Sequence, residues 1–85
     1  MDSLEPKKLA LIRIWQILKK YSDYDHPLTQ EDIAAYLENE YGIVIERKAI
    51  SRNISLLKEA GADIASKRTG SYLESREFED AELGL

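Results

Sequence analysis

Apolar residues recur at intervals of three and four along most of the chain, then give way to alternation near its end. Leu11, Ile14, Trp15, Leu18 and Tyr21, with Ile17 beside them, trace one face of a helix over residues 6–22. Pro6 suits the first helical position, where a missing N–H costs nothing, and Lys19 and Lys20 complement the dipole at the other end. Trp15 lies within the apolar face and is expected to anchor the core. Asp23, Asp25, His26 and Pro27 disfavour helix, so residues 23–28 read as a polar turn. A second helix is predicted over 30–41. Thr29 can cap it, Asp32 three residues on gives a weaker form of the capping box, and Leu28 and Ile33 are spaced for a hydrophobic staple. Ile33, Ala34, Leu37 and Tyr41 form its inward face, and Gly42 ends it.

Ile43, Val44 and Ile45 are β-branched and predict a short extended piece. A third helix follows over 47–60, with Ile50, Ile54 and Leu57 inward, Ala49, Asn53, Leu56 and Ala60 alongside, and Gly61 as its stop. Beyond Gly61 the period falls to two. Ile64 and Ala65 begin a strand, Thr69 and Gly70 make a turn, and Ser71, Tyr72 and Leu73 return. Lys67 and Arg68 sit at the turn, giving a hairpin over 64–73 with a basic tip. The segment from Phe78 to Leu85 starts like a helix and carries no stop signal. The expected fold class is mainly α with a small β-hairpin: a winged helix-turn-helix, three helices plus a wing, over residues 1–74. Residues 75–85 read as the start of a linker helix.

Charge sharpens this picture. The net charge is −4, which by itself argues against a nucleic-acid partner, but the sign alternates in blocks. Residues 2–22 are net +3, 23–46 net −7, 47–68 net +4 and 69–85 net −4. A fold that brings the 47–68 block to one surface makes that surface positive. With Ile50, Ile54 and Leu57 inward, the opposite stripe of the third helix reads Lys48, Ser51, Arg52, Ser55 and Lys58, with Arg47 at its start. In a helix-turn-helix the N-terminal half of this helix meets base edges. Arg47, Lys48, Ser51, Arg52 and Ser55 are therefore the candidate base contacts, arginine to guanine being the commonest specific one. Lys58, Lys67 and Arg68 are candidate phosphate contacts. Thr29 and Gln30 could present N–H groups to a phosphate at the dipole end of the second helix. The alternative is a solvated face kept for solubility, or, for Arg52, an ion pair with an acidic side chain of the first or second helix.

The remaining composition narrows the function classes. With no cysteine there is no disulfide or thiolate zinc site. His26 beside flexible carboxylates is a poor metal ligand set, and a loop hydrogen bond or cap is the expected role. No cofactor is expected. No nucleophile–histidine arrangement or Gly-rich phosphate loop exists, so catalysis is not expected. No apolar run approaches the roughly 18 residues of a membrane span, and no signal peptide is legible. A soluble, cytoplasmic chain is expected.

The run from Leu28 to Tyr72 resembles the N-terminal domain of WYL-domain transcriptional regulators, related to the DeoR-type helix-turn-helix. The matching stretches are 28–33, 41–43, 47–54, 57–61 and 70–73, and 76–83 resembles the entry to that family's linker helices. The resemblance implies a bacterial DNA-binding regulator acting as a homodimer through regions beyond Leu85. The family usually has Thr where this chain has Ala49 and Asp where it has Asn53, so neither a hydroxyl contact at 49 nor an ion pair from 53 carries over. The effector domain is not among these residues, and no ligand carries over. The competing reading is a winged-helix protein-interaction module without DNA binding, since fold alone does not decide function. Such a module should expose large apolar anchors on the third helix.

Overall fold

The computed structural model describes residues 9–74 of the chain. The element order is α1 (Ala10–Tyr21), α2 (Gln30–Tyr41), α3 (Arg47–Glu59), β1 (Ile64–Lys67) and β2 (Gly70–Leu73). Three helices followed by an antiparallel hairpin form a winged helix-like fold. The expected helix start at Pro6 and the expected linker at 75–85 lie outside the described residues.

The core is the junction of the three apolar faces. Ile14, Trp15, Ile17 and Leu18 of α1, Ile33 and Leu37 of α2, and Ile50, Ile54 and Leu57 of α3 are buried together. Trp15 is the core anchor its place in the heptad-like face predicts. α1 ends one residue before the expected Ser22, because Ser22 turns extended and becomes the cap. Its hydroxyl donates to Leu18 O at 2.7 Å and accepts the Leu73 N–H at 3.0 Å, in a site only 1 % exposed. One buried hydroxyl thus ties the end of α1 to β2. Ser22→Ala removes both bonds from a dry site and is expected to cost about 1–3 kcal/mol. Thermal unfolding should register this as a fall of roughly 4–8 °C per kcal/mol.

α2 has the predicted bounds. Thr29 Oγ1 accepts the Asp32 N–H and Asp32 Oδ2 accepts the Thr29 N–H, both at 3.0 Å, so the capping box is complete. Leu28 and Ile33, the staple pair, are both buried. Gly42 closes the helix with φ +68°, a left-handed turn that lets the chain reverse into the connection to α3. Within that connection Ile43 is buried and Val44 is 57 % exposed, the alternation of an extended piece, but it joins no strand. α3 runs to Glu59 with Ala60 as cap. Leu56 differs from expectation: it is 51 % exposed, because at 100° per residue it points well away from the Ile50–Ile54–Leu57 line.

The hairpin register pairs Ile64 with Leu73, Ala65 with Tyr72, Ser66 with Ser71 and Lys67 with Gly70. The loop is therefore Arg68 and Thr69, not the expected Thr69 and Gly70, and Lys67 is the last strand residue. Residues 23–28 do more than turn. Leu28 N–H donates to Ser71 O at 2.7 Å and Ser71 N–H to Leu28 O at 2.8 Å, which adds a one-residue third strand to the hairpin, on the far side of β2. Gly70 makes this approach possible. Its φ is +139°, and a Cβ there would stand 2.5 Å from the backbone carbon of Leu28.

The α1–α2 connection is organised by Asp23. Its Oδ1 accepts the Asp25 N–H and lies 2.9 Å from His26 Nδ1. The His26 bond holds the Asp23 carboxyl below the usual aspartate range. His26 is thus a loop hydrogen-bonding residue, as its surroundings predict. On the outer side of α1 and α2, Tyr21 stacks on Tyr36 with centroids 4.0 Å apart. Tyr21 also donates to Glu40, which holds its phenol above the ordinary range.

Candidate nucleic-acid interface

α3 presents two lines of polar side chains. Burial of Ile50, Ile54 and Leu57 turns Lys48, Arg52 and Ser55, at i, i+4 and i+7, to solvent on the far side. Rotated toward α2 and the hairpin lie Arg47, Ser51 and Lys58. All of these except Ser51 are exposed. Ser51 is half-buried because Gln30 donates its side-chain amide to the Ser51 hydroxyl across the α2–α3 junction. The sequence-predicted stripe is therefore split: Lys48 and Arg52 face out, Ser51 and Lys58 face the seam, and Ser55 is exposed at the edge between them. Gln30, Ser51, Ser55, Lys58, Ser66 and Ser71 line one hollow along that seam, of about 210 Å³.

A second hollow of about 380 Å³ opens between the start of α2, the start of α3 and the hairpin. Thr29, Gln30, Arg47, Lys67 and Arg68 all line it, with Glu31 among them. The candidate phosphate contacts at the α2 start and the hairpin tip are thus brought together. Their availability differs. The Thr29 N–H is already donated to the Asp32 carboxylate. The Asp32 N–H is donated in turn to the Thr29 hydroxyl and the Ile33 N–H to the Thr29 carbonyl.

Lys67 is engaged as well. Its ammonium donates to Tyr24 O at 2.9 Å, sits 3.5 Å from the Tyr24 ring centroid and lies 5.6 Å from that of Tyr72. Tyr24 meets Tyr72 edge-on at 5.6 Å. The lysine therefore braces the hairpin against the α1–α2 connection, with a cation–π contact of about 0.5–1 kcal/mol at such an exposed site. Arg68, in the two-residue loop, is exposed and makes no ion pair among the described residues. The wing's free cation is thus Arg68 rather than the Lys67–Arg68 pair.

Arg47 is paired: its Nη2 lies 3.3 Å from Glu31 Oε2. Sequence reading allowed an ion pair for Arg52, and the structure gives one to Arg47 instead. Lys48, Arg52 and Lys58 make no ion pair among the described residues. Asn53, where the resembled family carries Asp, is spent inside α3, its amide donating to Ala49 O at 2.8 Å. Two residues of the site had no sequence signal. These are Glu31 and Tyr24, which neither the apolar spacing nor the charged stripe singled out.

Among the described residues no helix is long and apolar enough to cross a membrane. Comparison with protein-family models, curated proteins and solved structures gives no match to this chain.

Proposed function

We propose that this chain binds double-stranded DNA as the reading domain of a cytoplasmic transcriptional regulator. α3 enters the major groove and the hairpin lies against the flanking backbone. One observation carries the reading. In a chain of net charge −4, Lys48, Arg52, Lys58 and Arg68 stand exposed on α3 and the hairpin tip without a carboxylate partner among the described residues. Surface cations in an acidic chain would ordinarily sit beside its own carboxylates. Of the acidic side chains of α2 only Glu31 forms an ion pair with α3, and it does so with Arg47, so these four cations are left for an external anion. The resemblance of residues 28–72 to WYL-domain regulators supports the same reading, and so does the antiparallel closure of Leu28 on Ser71, which holds the hairpin against the start of α2.

In this arrangement Lys48, Arg52 and Ser55 meet base edges. Lys58 and Arg68 neutralise phosphates, and Gln30 orients Ser51 at the groove wall. The test is affinity for a random-sequence duplex across a salt series. A plot of log affinity against log salt should be linear, with a slope of about −0.9 for each phosphate neutralised, hence about −2 to −4 for one such domain. A flat response sinks the reading. It would favour the protein-interaction module, for which exposed Leu56 and Val44 beside the α3 face offer apolar anchors.

A further inference from the structure

Two neighbouring residues on the first turn of α2 each hold one residue in the N-terminal half of α3. Gln30 holds Ser51, and Glu31 holds Arg47. Arg47 and Ser51 are four apart and share one side of α3. Ser51 borders the smaller hollow along the seam, while Gln30, Glu31 and Arg47 border the hollow whose far wall is the hairpin. That hollow is lined by three cations, Arg47, Lys67 and Arg68, and by one carboxylate, Glu31. Lys67 is committed to Tyr24. Arg47 and Arg68 are therefore the cations left for an anion entering there, and Glu31 stands against one of them.

We propose that Glu31 is an electrostatic brake on backbone binding: it holds the Arg47 guanidinium and sets a negative charge where a nucleic-acid phosphate would enter the hollow. The inference rests on the DNA-binding reading and names the residue that restrains it. The pair is open to solvent, with Arg47 67 % and Glu31 71 % exposed, and exposed pairs of this kind are weak. A phosphate can therefore draw Arg47 away. The carboxylate stays behind on α2 and repels the incoming charge. Phosphate contacts are shared by every sequence, so the brake lowers affinity for all duplexes alike and leaves base preference to the outer line of α3.

The test compares Glu31→Gln with Glu38→Gln in the full chain. Glu38 is exposed, lies two turns further along the same helix face and does not line the hollow. Removing it changes net charge equally without touching Arg47. Thermal unfolding first establishes that each variant is folded at the binding temperature. Against a random-sequence duplex, Glu31→Gln should bind about three- to tenfold tighter at low salt, with a log–log slope steeper by about 0.9, the signature of one more neutralised phosphate. Glu38→Gln should shift affinity less than about twofold with its slope unchanged, because a distant exposed charge is screened. Adding Arg47→Gln to Glu31→Gln should remove the extra slope and most of the gain, leaving only the relief of direct repulsion. Equal shifts in the two single variants, or an extra slope that survives loss of Arg47, would overturn the brake while leaving DNA binding intact. Absence of salt-dependent binding by the unaltered chain would overturn DNA binding and the brake with it.

Discussion

Gly70→Ala is expected to destabilise the fold by about 3–5 kcal/mol, the largest effect of any single methyl group in the described residues. Two costs combine. A side chain at φ +139° is strained by roughly 1–3 kcal/mol wherever it stands. The added Cβ would also meet the Leu28 backbone at 2.5 Å, and backbone cannot rotate aside as a side chain can. Relief requires Leu28 to retreat, which breaks the two bonds it shares with Ser71, at about 1 kcal/mol each. Gly42→Ala is the comparison. Its φ of +68° lies in the left-handed well, where alanine costs only about 1–2 kcal/mol. Denaturant titration should therefore rank Gly70→Ala clearly below Gly42→Ala in midpoint. Equal midpoints would show that the approach of Leu28 to the hairpin is not tight.

Arg52→Ala is expected to weaken binding to a selected duplex by about 1–3 kcal/mol and to relax preference at one base pair. The guanidinium is exposed, on the outer line of α3 with Lys48 and Ser55, so its loss should leave stability within about 0.5 kcal/mol. Duplexes selected from a random pool, and their single-base variants, provide the measurement. Uniform weakening across all of them, with a salt slope shallower by about one, would reassign Arg52 to a phosphate. No change in either would remove it from the groove.

The helices were legible because their information is local. Thr29 and Asp32 fix one end of α2 and Gly42 the other, and the observed bounds coincide with the predicted ones. The apolar spacing of α3 likewise gave its inward line. Leu56 was grouped too close to that line, since counting neighbours blurs an angle that the helix resolves. What the pattern did not carry was contact between distant segments. Leu28 adds a strand of one residue, too short for alternation to show, and it does so through backbone atoms. Lys67 is drawn from the wing tip to Tyr24, 43 residues earlier. The turn was placed one residue late because Gly70 looks like a turn glycine. Its actual role is to admit another chain segment. The cationic face was legible from charge blocks, but the Glu31–Arg47 pair was not, because the two residues lie on different helices and only the α2–α3 packing brings them together.

Because Leu28 and Ser71 exchange both of their amide–carbonyl bonds while Ser22 grips the next strand residue but one, the hairpin is latched to the helices at two points. It cannot peel away as a separate unit. In native-state hydrogen exchange the amides of Leu28, Ser71 and Leu73 should then open together with those of the helical core, at the free energy of global unfolding rather than that of a fraying edge. A wing held in this way arrives at its ligand already ordered, and association does not have to supply the entropy of arranging it.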